Sequence, residues 1–156
     1  MDVPGCLPGV DGELRGAVRH GAKIFYAYAE ATVPMVTLIL RKAYGGGYVC
    51  LGSKHIGADF VYALPSAEIA VMGPESAASV IYRKEIAASE DAEKTKAEKT
   101  AEYRKEYANP YVAAAKGYID DVIAPCEARE RIASALDMLK AKQTQPVNRK
   151  HGIMPV

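Results

Sequence analysis

The apolar positions Leu14, Ala17, Val18, Ala22, Phe25, Tyr26 and Ala29 recur at helical spacing, which predicts a helix from Glu13 to Thr32, capped by Asp11 and ended by Pro34. The stretch before it, Asp2 to Gly9, is too rich in proline and glycine for a helix and reads as a loop. Met35 to Leu40 is an apolar run of strand length, the pattern of a strand buried between helices. It leads into Arg41, Lys42, Ala43, Tyr44 and the triplet Gly45, Gly46, Gly47. Beyond the triplet the pattern predicts a short helix over Tyr48 to Lys54, a break at Gly57, and strands at Phe60 to Ala63 and Glu68 to Met72. Gly73 and Pro74 restart the chain, and Ala77 to Tyr82 continues as helix. Strand, glycine turn and helix thus occur twice, which argues for an α/β layered fold with ligands at the strand ends where glycine turns enter helices.

Residues 83 to 107 are dominated by Lys, Glu and Ala, with Lys94 and Glu98 or Glu98 and Glu102 at i, i+4 spacing. They read as a solvated surface helix with sparse apolar contacts at Ile86, Tyr103 and Tyr107, and no chemistry is assigned to it. Asn109 and Pro110 start a small helix that Gly117 ends, Tyr118 to Ile123 supplies a strand, and a last helix carries Ile132, Ala135, Leu136 and Leu139 on its apolar face. From Gln143 onward the pattern gives an extended tail, so the expected division is a domain over 1–142 and a tail over 143–156.

Composition narrows the partners. With 49% hydrophobic and 25% charged residues and a formal net charge of +1, the chain has no basic excess of the kind nucleic acid or an anionic membrane requires. No apolar run approaches the roughly 18 residues needed to span a bilayer, and the expected location is cytoplasmic. Cys6, Cys50 and Cys126 are scattered and odd in number; they read as small buried hydrophobes rather than as a disulfide framework. His20, His55 and His151 lack metal-ligand spacing, and no metal is expected.

The candidate chemistry lies in the triplet. Glycines between a strand and a helix leave bare amides that face a ligand without side-chain hindrance, although a turn of this kind is also a common structural device. Glu68, at the start of a short strand, reads as a hydrogen-bonded structural carboxylate, and Tyr26, Tyr28, Tyr44 and Tyr48 read as packing residues.

The ordered segments Asp2-Val-Pro-Gly, Arg19-His-Gly-Ala, Tyr26-Ala-Tyr-Ala-Glu-Ala-Thr-Val-Pro, Arg41-Lys-Ala-Tyr-Gly-Gly, Ser53-Lys-His, Ala67-Glu-Ile-Ala-Val-Met-Gly and Asn109-Pro-Tyr-Val-Ala-Ala carry a more specific signal. Together they resemble the carboxyltransferase subunit of biotin-dependent acyl-CoA carboxylases and decarboxylases, the family of the propionyl-CoA carboxylase β chain and the methylmalonyl-CoA decarboxylase α subunit. The resemblance covers essentially the whole chain. It implies a crotonase-like α/β fold, this chain being part of the second of two such domains, and hence a C-terminal fragment. It further implies that the active site is shared between the first domain of one subunit and the second domain of another, so that this chain carries the biotin side.

The activity so implied is carboxyl transfer between biotin, borne on a separate carrier protein, and a short acyl-CoA such as propionyl-CoA or methylmalonyl-CoA. The resemblance places the biotin-side oxyanion hole at Gly46 and Gly47 within the biotin-binding turn Gly45, Gly46, Gly47, and places Tyr48 and Val49 beside the acyl group. Expected partners are the biotin carboxyl carrier protein, the first domain or other copies in a homo-oligomer, and, in a decarboxylase, a membrane complex. The chain departs from the family at Gly47, where alanine is usual, and at Cys6, Leu64 and Gly12, where phenylalanine, tryptophan and glutamine are common. Two other readings compete. One is a noncatalytic truncated subunit acting as an interaction module, and the other is a different crotonase-like chemistry on thioesters, argued from fold alone.

Overall fold

The computed structural model describes residues 1–6, 9–144 and 152–155. Two short helices open it, α1 (Val10–Leu14) and α2 (Ala17–Glu30), where the sequence predicts one. The break is at Gly16, whose left-handed φ of 78° turns the chain between them. Asp11 consequently lies inside α1 rather than capping a longer helix, and α2 stops at Glu30, four residues short of Pro34.

Strand β1 (Val36–Ile39) pairs in parallel with β3 (Phe60–Ala63), and β3 pairs in parallel with β5 (Asp121–Val122), giving the order β1-β3-β5. A second parallel pair joins β2 (Lys42–Tyr44) to β4 (Glu68–Ala70). The apolar run at 35–40 therefore does not lead directly into the glycines: the chain leaves the first sheet after Ile39, and β2 intervenes as a strand of its own. β1 is also less enclosed than expected, with Val36, Thr37 and Leu38 only half-buried. The N-terminal segment lies along these strands. Val3 donates its amide to the Lys42 carbonyl at 2.7 Å and accepts from the Tyr44 amide at 3.1 Å.

Each strand of the second pair feeds a helix through glycine. β2 runs into α3 (Gly45–Cys50), and β4 passes Gly73 into α4 (Pro74–Ile81), where Pro74 occupies the first helical turn. The triplet itself forms the first turn of α3, so the short helix starts at Gly45 and not at Tyr48; a separate 3₁₀ turn covers Lys54–Ile56. The charged stretch divides into α5 (Arg83–Ala88) and α6 (Ala92–Glu106), with Asp91 capping α6 by accepting from the Lys94 amide at 3.0 Å. Asn109 caps α7 (Pro110–Ala115) by accepting from the Val112 amide, and α8 (Ala128–Met138) buries Ala135 against β1 and β3. Pro146, Lys150 and most of the predicted tail lie outside the described residues.

The core gathers between the sheets and α7, around Ile39, Ala43, Tyr48, Val61, Ile69 and Ile119, all buried. The cysteines correct the sequence reading: Cys6 and Cys126 are exposed and Cys50 is half-buried. Burial raises the Cys50 thiol, and the proximity of Cys6 adds to the shift. No described helix is long and apolar enough to cross a membrane.

Candidate functional site

A cavity of about 490 Å³ opens at the start of α3. Gly45, Gly46, Tyr48 and Val49 form one wall, and Ile69, Ala70 and Val71 from the end of β4 form a second. The remaining walls come from Tyr103 of α6 and Tyr107 just after it, from Val112 and Ala113 of α7 and Lys116 just after it, and from His55 and Tyr118. β2 and β4 end side by side, Tyr44 against Ala70, which is why the glycine turn and the residues after β4 meet at one place.

The three glycines are not equivalent. Gly45 has a φ of 55°, and a Cβ there would sit 2.8 Å from the Val71 carbonyl oxygen, so the chain can make this bend only without a side chain. Gly46 is exposed on the cavity wall and a Cβ there would meet nothing within 4 Å. Gly47 is buried behind the wall, where a Cβ would fall 2.7 Å from Val3 Cγ2 and 3.4 Å from Gly5 Cα. Gly47 thus lets the N-terminal strand segment press against α3. The amides of this first turn have no acceptor within the helix, and of the three glycines Gly45 and Gly46 line the cavity while Gly47 does not.

Tyr48 and Val49 both line the cavity. The Tyr48 hydroxyl donates to the Tyr118 carbonyl at 3.2 Å, fastening α3 to the loop after α7. Burial, reinforced by Tyr118, pushes the Tyr48 phenol up to about 12, so it remains a neutral donor. The His55 ring meets Tyr48 edge-on with ring centres 5.6 Å apart and Tyr118 at 4.9 Å, while Tyr103 and Tyr107 contact each other at 5.2 Å. Among the described residues no carboxylate lines the cavity. Its chemistry is that of an apolar, aromatic chamber with bare amides at one edge.

The sequence reading named Tyr103 and Tyr107 as apolar contacts of a solvated helix but placed neither at the site, because the composition around them is that of a surface. Their i, i+4 spacing was the available signal: it puts both rings on one helix face. Behind the wall, the Arg104 Nε donates to Glu68 Oε1 at 3.0 Å and its Nη2 to Glu75 Oε1 at 2.9 Å, while the Tyr44 hydroxyl donates to the other Glu68 oxygen. Glu68 is therefore a structural carboxylate, as its position suggested. Burial and the bond to Glu68 push the Tyr44 phenol well above the usual range.

The model of the carboxyl transferase domain matches residues 1–154. The chain belongs to this family. It is 61% identical over 155 residues to a putative propionyl-CoA carboxylase beta chain of Bacillus subtilis, covering 99% of this chain and 31% of the relative. It is 58% identical over 156 residues to the methylmalonyl-CoA carboxyltransferase 12S subunit of Propionibacterium freudenreichii, covering 99% of this chain and 30% of the relative. A solved transcarboxylase 12S structure, described as a hexamer with methylmalonyl-coenzyme A and methylmalonic acid bound, superposes with a TM-score of 0.93 at 56% identity over 100% of this chain and 30% of its own. The beta subunit of Pseudomonas aeruginosa geranyl-CoA carboxylase shares the fold at a TM-score of 0.79 and 23% identity. The α/β layering is accordingly the crotonase-like fold of carboxyltransferase domains. The chain spans about 30% of the length of these relatives.

Proposed function

We propose that this chain forms the biotin-side half of an acyl-CoA carboxyltransferase acting on a short acyl-CoA, propionyl-CoA or methylmalonyl-CoA. The observation that carries the reading is the cavity at Gly45 and Gly46 in a chain 58% identical to a methylmalonyl-CoA carboxyltransferase subunit. Free space at Gly46 lets a planar ureido group approach the backbone, and the chamber is large enough for a small acyl group beside it. Biotin, when bound, supplies the nitrogen that carries the carboxyl group.

The chain's own part is positional and electrostatic. The amides of Gly46 and Gly47 donate to an oxygen on which negative charge builds during transfer, and losing one such donor costs about 3 kcal/mol. Gly45 fixes the turn that aims them. Tyr48 and Val49 wall the acyl group, and the aromatic residues exclude water, which strengthens each hydrogen bond inside. No general base is invoked: among the described residues no carboxylate lines the cavity, and the His55 ring is packed edge-on against Tyr48 and Tyr118. A biotin carrier protein is the proposed donor of the ring, and further copies of the subunit, as in the hexameric 12S relative, are the proposed assembly partners.

The decisive experiment measures carboxyl transfer from methylmalonyl-CoA to free biotin, with the chain alone and then mixed with the N-terminal two thirds of the Bacillus subtilis relative. Activity in the mixture that Gly46→Val abolishes is expected. A silent mixture beside an active full-length control would overturn the proposal and leave an interaction module in its place.

A further inference from the structure

The cavity holds one group that the proposed chemistry has not used. Lys116 is the one lysine or arginine among its described lining residues, and it faces no carboxylate there. It ends α7, where its backbone is held by a hydrogen bond to the Val112 carbonyl and by the Gly117 amide on Ala114, and Gly117 then turns the chain at a φ of 73°. The base of the side chain is therefore fixed at the cavity wall. Among the described residues Lys116 enters no ion pair: the acidic residues that follow it are engaged elsewhere, Asp120 with Lys54 at 2.7 Å and Asp121 with Arg131 at 3.1 Å.

An uncompensated ammonium on the wall of an apolar chamber attracts an anion, because low-dielectric walls focus its field into the chamber. The charge of that anion follows from the reading of this site as a carboxyl-transfer pocket, on which the inference rests. The substrate is a carboxylate in one state and carries no charge at that position in the other. We propose that Lys116 binds the carboxylate of the carboxylated acyl group and so distinguishes it from the uncarboxylated one. A lysine suits this task, since its compact ammonium has three rotatable donors and does not clamp a carboxylate in the bidentate manner of arginine. The group can thus be held and still depart.

Methylmalonate is the probe, titrated into the full chain while the backbone amide resonances of Gly46, Tyr48 and Tyr118 are followed. Saturable shifts at these amides are expected, with Lys116→Ala weakening binding about five- to tenfold, a modest loss because Lys116 is exposed and solvent screens its charge, and with Lys116→Arg binding at least as tightly as the original chain. The uncharged dimethyl ester should bind the original chain and Lys116→Ala equally. Lys116→Gln replaces the alanine variant if that one loses its dispersed spectrum. Equal methylmalonate affinity in the original chain and the neutral variant, with the cavity amides still shifting, overturns the role of Lys116 and leaves the site intact. Absence of shifts at those amides in the original chain overturns both.

Discussion

Gly45, Gly46 and Gly47 answer to three different constraints, and substitutions separate them. Alanine at 45 needs a left-handed φ and a methyl 2.8 Å from the Val71 oxygen, so Gly45→Ala should lose about 2 kcal/mol or more of stability in a urea titration. Gly46→Ala meets no atom and gains helix propensity, so its midpoint should stay level or rise while carboxyl transfer falls about tenfold, because the methyl projects where the ureido oxygen must approach. Gly47→Ala falls between: the helix gains up to about 1 kcal/mol, offset by the turn Val3 must make to clear the methyl. Equal losses at all three positions would contradict this division. The triplet was conspicuous in the sequence as the place for chemistry. Its division was not legible, because the constraints come from residues tens of positions away: Val71, brought in by the parallel pairing of β2 and β4, and Val3 and Gly5, brought in by the bridge of the N-terminal segment to Ala43.

At the scale of elements, Arg104 ties α6 to the start of β4 and to α4, and it sits one residue after the cavity tyrosine Tyr103. Removing it leaves Glu68 with the Tyr44 hydroxyl and no cation. Because the guanidinium is 42% exposed, Arg104→Ala should cost only about 1 kcal/mol in stability, yet it frees the wall that carries Tyr103 and Tyr107 and should lower carboxyl transfer severalfold. An activity loss no larger than that of a neutral change at the exposed Lys96 would show that the tie does not position the wall. Helices and strands with strong local signals were legible: Asn109-Pro110, Gly73-Pro74 and Phe60 to Ala63 all form what their residues specify. The elements misread were those decided by tertiary contact. β2 is three residues long and exists because Ile69 and Ala70 pair beside it, whereas α6 is the largely exposed helix that its Lys and Glu specify, burying only Thr100 and Tyr103. The helix predicted over Glu13 to Thr32 spans Gly16, whose left-handed φ separates α1 from α2.

For the whole molecule, two features link distant parts to solution behaviour. Val10, Leu14 and Val18 on α1 and α2 are 76%, 81% and 67% exposed, so the chain should associate with concentration in sedimentation velocity, and Leu14→Glu should shift it toward monomer. A monomer at all concentrations would show that this apolar strip is tolerated in water. The second feature is an ion pair spanning the fold: Lys142 Nζ lies 2.8 Å from Asp59 Oδ2 and also donates to the Val33 carbonyl at 3.1 Å, joining the end of the described domain to the loop before β3 and to the exit of α2. Burial alone would raise the Asp59 carboxyl, but the bond from Lys142 and the 2.7 Å bond from the Met35 amide outweigh it and hold the group below its ordinary value. A depressed aspartate stabilises the fold where it is ionised in both states, above the unfolded value of about 3.9, and that contribution is lost as pH falls through the folded value. The difference in thermal midpoint between the original chain and Asp59→Asn should therefore be constant from about pH 7 to 5 and shrink below about pH 4. A difference that persists undiminished at pH 3 would mean that Asp59 acts through its hydrogen-bonding shape and not its charge, and the tie would then be one of geometry between Lys142, Val33 and Met35.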